Sequence, residues 1–252
     1  MKMSLVRAGM LMSVLAMGVA HAAEPSANSA EAAIREHIAK SVPGASIKEV
    51  SPTPAGLFQV VLDSGELLYA TADGKYLVAG SLFELSDKGQ PTNLTENWRA
   101  KKRVEQLAAV KREDTVNFSP AGTPKASIFV FTDTDCGYCK KFHNEELSKL
   151  NAQGVEVRYL AWPGVGGEHA KKQLAAVWCS ADRKAALTSA KNRQELPPAP
   201  ANCHAPVMEQ WKMGAEMGVR GTPAIFAADG HQLGGGFLTA DQVMEELGLA
   251  AK

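Results

Sequence analysis

Three things are scarce in this chain. The first is excess charge: 27 Lys and Arg stand against 27 Asp and Glu in 252 residues. That balance gives no pull toward nucleic acid or an anionic membrane surface. The second is long apolar sequence. The run Ala8–Ala20 near the start is too short for a comfortable span, and no other segment approaches the roughly 18 residues that a membrane helix needs, so stable membrane insertion is not expected. The third is cysteine. The four cysteines, at 136, 139, 179 and 203, lack the second short-spaced pair or nearby His ligands of a zinc site. Lys140 stands where a haem-attachment motif requires histidine. No metal and no cofactor is expected.

The N-terminus has the parts of a cleavable export signal. Lys2 and Arg7 are basic, Ala8–Ala20 is apolar apart from Ser13, and Ala20-His21-Ala22 offers small residues at −3 and −1. Cleavage after Ala22 is expected, which removes two basic side chains and no acidic one. No cysteine stands at the cleavage point, so a lipid anchor is not implied. An exported chain with an even number of cysteines belongs where disulfides persist. The style of the signal suggests the bacterial periplasm.

What the chain does have is Cys136-Gly137-Tyr138-Cys139, between an apolar strand-like run, Ser127–Phe131, and a helix-like run from Lys140. Cysteines three apart at a helix start share a face. The first sulfur then meets unpaired N–H groups and the positive end of the helix dipole, which favour thiolate over thiol. A stabilised thiolate attacks disulfides and leaves mixed disulfides readily, making the Cys136–Cys139 bond oxidising. A purely structural bridge here would close a small ring and stabilise weakly. The motif indicates thiol–disulfide exchange.

The organisation is that of two domains. Residues 23–88 read as one helix, Ala30–Val42 with Ser29 as cap, followed by strands at Ile47–Val50, Leu57–Leu62, Glu66–Thr71 and Lys75–Leu85. Ser64-Gly65 and Asp73-Gly74 mark hairpin turns. So small a domain buries little core and gains by pairing with a second copy. Residues 89–112 read as a connector and a charged linker helix from Leu94, a solvated spacer. Residues 113–252 hold a β–α–β–α–β–β–α pattern from Ser127, with a helical insertion at about 163–219 that carries Cys179 and Cys203. Its last helix is capped by Thr239.

A strand, a CxxC opening a helix, and Gly221-Thr222-Pro223-Ala224 before a later strand resemble the thioredoxin fold. That resemblance implies a cis peptide before Pro223, with the Thr222 backbone offered to an extended substrate. With Phe131–Cys139, an exported N-terminal domain and a second cysteine pair, the chain resembles the DsbC family of periplasmic disulfide isomerases; DsbG proteins usually carry proline where Gly137 stands and lack the second pair. The implied architecture is an α+β dimerisation domain joined by a linker helix to an α/β thioredoxin-like domain, in a V-shaped homodimer. Cys136 is then the nucleophile and Cys139 the resolving thiol, with Gly137 and Tyr138 tuning the pair. Misfolded disulfide-containing exported proteins are the substrates, and a membrane protein of the DsbD type is the reductant. Val130 occupies the position of the buried acid of thioredoxins, which argues against a dedicated reductase. Cys179 and Cys203 are expected to form a structural disulfide. Asp133 and Asp135 are read as capping or solvent-facing, and His143 as an exposed helix residue. The alternatives are a net dithiol oxidase and a DsbG-like reductase or holdase chaperone.

Overall fold

The computed structural model describes residues 26–250 apart from Lys88. The leader read at residues 1–22 lies outside the described residues. The first helix, α1 (Ala27–Ser41), buries Ala30, Ile34 and Ile38, which recur every four residues and so share one face. It begins earlier than the sequence suggests, because Ser26 rather than Ser29 accepts the capping N–H.

Four antiparallel strands follow: β1 (Ile47–Pro52), β2 (Phe58–Leu62), β3 (Leu67–Ala70) and β4 (Leu77–Ala79), paired in that order. Gly65 and Gly74 take positive φ in the turns, and Gly74 also passes so close to Ala33 and Ile34 that a side chain would collide with α1. Ile34, Ile38, Val60 and Ala70 form the small core. The expected strand at Lys75–Leu85 is divided. Its first part is β4, and Phe83–Glu84 (β5) turns away to pair with Thr92–Asn93 (β6). Tyr76, Leu77 and Val78 on the β4 edge are exposed.

Asn93 caps α2 (Leu94–Ala108). This helix departs from the expected solvated spacer, since Thr95, Ala100, Arg103 and Leu107 are buried. Thr95 binds the small domain through the Tyr69 hydroxyl and the Leu82 N–H. Leu107 joins Phe129, Phe131, Leu160 and Phe226 in a core of the following domain. Arg103 donates to Met217 O at 2.9 Å and Gly230 O at 3.2 Å, pairs with Glu96, and lies over the Phe226 ring. A buried stripe interrupted by an arginine reads as polar in composition, although the arginine is satisfied by buried carbonyls.

A 3-10 turn (Arg112–Asp114) leads into the second sheet, of order β11-β10-β8-β9-β7. Its strands are β7 (Val116–Phe118), β8 (Ala126–Thr132), β9 (Val155–Ala161), β10 (Ala224–Ala227) and β11 (Gln232–Leu233). The β8–β9 pair is parallel and all other pairs are antiparallel. Helix α3 (Gly137–Lys141) continues through a π-helical turn, Phe142–Glu146, into α4 (Leu147–Ala152). The insertion supplies α5 (Gly167–Trp178), α6 (Arg183–Lys191) and α7 (Val207–Met217). The chain closes with α8 (Ala240–Glu246), whose cap is Thr239 in a reciprocal pair with Gln242. No helix among the described residues is long and apolar enough to cross a membrane.

Candidate active site

Strand β8 is buried from Ile128 onward and delivers Thr132 to the edge of the core. Four residues later Cys136 becomes the N-cap of α3. Its Sγ accepts from the Cys139 N–H at 3.4 Å, the position where a capping oxygen usually sits. Sheet register brings the second half of the site. Strand β10 runs antiparallel to β8 with Ala224 opposite Phe131. The Thr222–Pro223 peptide, which is cis, therefore lies beside the end of β8. The Cys136 thiol donates to Thr222 O at 3.1 Å.

Cys136 and Cys139 are free thiols, 6% and 1% exposed. Their electrostatics diverge. The Cys139 thiol hydrogen-bonds to Cys136 and, with the Thr222 side chain and the N–H groups of Cys139 and Tyr138, outweighs burial to pull the Cys136 pKa down to about 5. Cys139 is pushed far up, first by burial and then because it donates to Cys136. A thiolate at Cys136 beside a protonated thiol at Cys139 is the arrangement for one sulfur to attack and the other to wait. Above the pair, Tyr138 is exposed and leans on Phe237, with ring centroids 6.1 Å apart. A Cβ on Gly137 would meet open space.

Two expectations made from the sequence, a solvent-facing Asp133 and an exposed His143, are overturned. Asp133 is fully buried, and its carboxylate accepts the N–H groups of Asp135, Gly164 and Gly166 at 2.8, 2.9 and 3.1 Å. It fixes the loops on either side of the site and faces no solvent. Asp135 is partly buried and paired with His169 at 2.7 Å, whose other ring nitrogen reaches Glu195 at 2.9 Å. His143 is also buried, between the Tyr159 hydroxyl and Thr188 Oγ1. Burial, aided by the charge of Lys191, drives its pKa down to about 4. The π turn is the reason: its wider spacing places Phe142, His143 and Glu146 all on the inner side.

Sequence reasoning missed Lys191. It ends α6 with no exposed surface, and its Nζ donates to Thr132 Oγ1 at 2.5 Å and Asp133 O at 2.6 Å. Only topology brings it to the site, and a lysine in a polar stretch carries no local signal for burial. In the insertion, Cys179 and Cys203 are bonded, with Cα atoms 6.1 Å apart. Among the described residues, no group of three or more His, Cys, Asp or Glu side chains converges to hold a metal ion.

Comparison with known proteins places this geometry in context. Residues 25–96 match the disulfide bond isomerase protein N-terminal domain, and residues 112–251 match a thioredoxin-like domain. The thiol:disulfide interchange protein DsbC of Escherichia coli K12 is 35% identical over 201 residues, covering 79% of this chain and 80% of that protein. The DsbC of Dickeya dadantii is 39% identical over 183 residues, covering 72% and 73%. A crystal structure of a disulfide interchange protein from Neisseria gonorrhoeae is 25% identical with a TM-score of 0.47, covering 56% of this chain and 100% of that one.

Proposed function

The chain belongs to the DsbC family of thiol:disulfide interchange proteins, and from that premise we propose how its Cys136–Cys139 pair performs disulfide isomerisation. Cys136 is the nucleophile. Its thiolate attacks a non-native disulfide, forming a mixed disulfide and freeing one substrate thiol. That thiol attacks another substrate disulfide, and a new pairing expels Cys136 as thiolate, so the enzyme ends as it began. When rearrangement stalls, Cys139 attacks Cys136, the substrate leaves reduced, and the pair is oxidised. Gly137 and Tyr138 tune the pair, and Thr222 with Pro223 presents backbone to the substrate chain.

The observation that carries this reading is geometric: Cys136 caps α3 with its Sγ on the Cys139 N–H and against Thr222 O of the cis Thr222–Pro223 peptide, and the two sulfurs are driven to opposed ionisation. Isomerisation begins from the reduced pair, so an electron donor is required, a membrane reductant of the DsbD type. The working form is a homodimer. The exposed β4 edge with Tyr76, Leu77 and Val78 supplies apolar surface and unpaired backbone for a second copy. Residues 1–22 direct export, and the substrates are misfolded disulfide-containing proteins of the periplasm. The Cys179–Cys203 bond is structural.

The test is reactivation of a scrambled multi-disulfide protein in a glutathione buffer by residues 23–252. Activity is expected for the parent and lost in Cys136→Ala. Reactivation that survives Cys136→Ala removes the assignment. Fast dithiol oxidation without reactivation would transfer it to the oxidase reading.

A further inference from the structure

Lys191 is a fully buried amine whose nearest anionic help, from Asp133 and Asp135, comes without a salt-bridge contact among the described residues. Its Nζ is held by Thr132 Oγ1 and Asp133 O, the end of β8 and the start of the loop that carries Cys136. An ammonium has three N–H donors, so one remains beyond these two. Among the described residues no carboxylate lies within salt-bridge distance of it. The nearby Asp133 carboxylate is already engaged by three backbone N–H groups. Burial pushes the Lys191 pKa down, because a buried ammonium costs several kcal/mol unless nearby anions offset it. A Cys139 thiolate is the strongest of the anions that favour ionised Lys191, ahead of Asp133, Cys136 and Asp135, and the Lys191 charge in turn favours ionised Cys139 against burial and the bond to Cys136.

We propose that Lys191 is a positioning residue for the resolving step: its buried ammonium supplies the counter-charge for the Cys139 thiolate that releases a stalled substrate. The proposal rests on the assignment of Cys136 as nucleophile and Cys139 as resolving thiol. In the step, Cys139 gives its proton to water and its thiolate attacks Cys136 Sγ. The Cys136–Cys139 bond forms as the Cys136–substrate bond breaks, and the electron pair leaves on the substrate sulfur, which takes up a proton. The dithiol is oxidised by two electrons and the substrate disulfide reduced by two. The ionisable groups around this centre are Cys136, Asp133, Asp135, His143 and Tyr159. Burial keeps His143 and Tyr159 neutral near pH 7.

The aromatic disulfide dithiobis(nitrobenzoate) reads the two steps apart. Reduced residues 23–252 release one coloured thiolate when Cys136 attacks and a second when Cys139 resolves. A nearby opposite charge moves a thiol pKa by about two units, partly offset by the greater nucleophilicity of the more basic thiolate, so its loss slows resolution about tenfold near neutral pH. Lys191→Met and Lys191→Gln are both expected to show this second-phase deficit, with the first phase within about twofold of the parent. The deficit should narrow as pH rises toward the Cys139 pKa. Glutamine keeps N–H donors for Thr132 Oγ1 and Asp133 O without charge. Normal resolution in Lys191→Gln therefore overturns the proposal, leaving only a structural role. If Lys191→Met does not fold, Lys191→Gln decides alone. Absence of the first phase in the parent instead overturns the underlying assignment of Cys136.

Discussion

Ionisation of Cys136 should make the reduced protein more stable than the oxidised one, by an amount that pH controls. The native thiol titrates at about 5, against 9.0 for an unperturbed one. Between those values the unfolded chain binds a proton that the native state does not. Stability therefore rises with pH across the window, is complete above about pH 9 and is gone below about pH 5. Two pH units separate the native value from pH 7, each worth about 1.4 kcal/mol, so the reduced form gains about 3 kcal/mol there. The oxidised form has no thiolate and lacks this gain, which makes the disulfide readily reduced. The assay is guanidinium unfolding of both redox forms at pH 7 and at about pH 4.5, with the thiolate followed by its ultraviolet absorbance against a Cys136→Ala blank. His143 also titrates in the acid range, but it is present in both redox forms and drops out of their difference to first order. A thiolate midpoint above about pH 7.5, or a redox stability gap that does not shrink on acidification, refutes the reasoning.

Other expectations concern the frame around the site. Joint replacement of Cys179 and Cys203 by alanine should lower stability by about 3.5 kcal/mol, the loop-closure value for their separation of 24 residues, read by denaturant midpoint with dithiol exchange at Cys136 retained. Arg103→Met leaves Met217 O and Gly230 O without their donor and Glu96 without its partner. A loss of about 3–5 kcal/mol is expected by thermal or chemical unfolding, and a change below about 1 kcal/mol contradicts the docking of α2. The native His143 pKa is depressed from 6.5 to about 4, so stability should fall as pH drops through that interval, by about 3 kcal/mol in full. His143→Gln should flatten that segment of the stability profile relative to the parent.

The parts of the molecule legible in the sequence were those whose causes are local. Cys136 and Cys139 are set by their place at a helix start, Gly65 and Gly74 by their turns, and Thr239 by the helix it caps. Thr222 and Pro223 were legible through a resemblance, and the β8–β10 register gives the physical reason that they meet Cys136. Strand β7, three residues long, is too short to show alternation. The burial of α2 was hidden because Arg103 occupies the middle of its apolar stripe. The burial of His143 is not legible because a π turn changes the spacing within what the sequence pattern presents as a regular helix. The burial of Asp133 is not legible locally because two of the three N–H groups its carboxylate accepts, those of Gly164 and Gly166, lie more than thirty residues away.

In the proposed mechanism rearrangement and reduction share their first event, the attack of Cys136, so whatever stabilises the Cys136 thiolate raises both and cannot choose between them. The choice falls to the next sulfur. If Cys139 ionises quickly, the mixed disulfide is resolved and the substrate leaves reduced; if slowly, substrate thiols have time to exchange. The groups that act on Cys136 are the capping N–H groups, Thr222 and the Cys139 thiol, all within the strand–helix frame of the thioredoxin-like domain. The cation that acts on Cys139 comes from α6, in the helical insertion. The groups that act most on Cys136 and the cation that acts on Cys139 thus come from different parts of the chain, although Lys191 and Cys136 also attract each other. A variant at Lys191 should shift the ratio of isomerised to reduced product toward isomerisation while leaving substrate capture near the parent rate. That ratio, measured on one scrambled substrate in one buffer, is a quantity that damage to folding alone would not move in this direction.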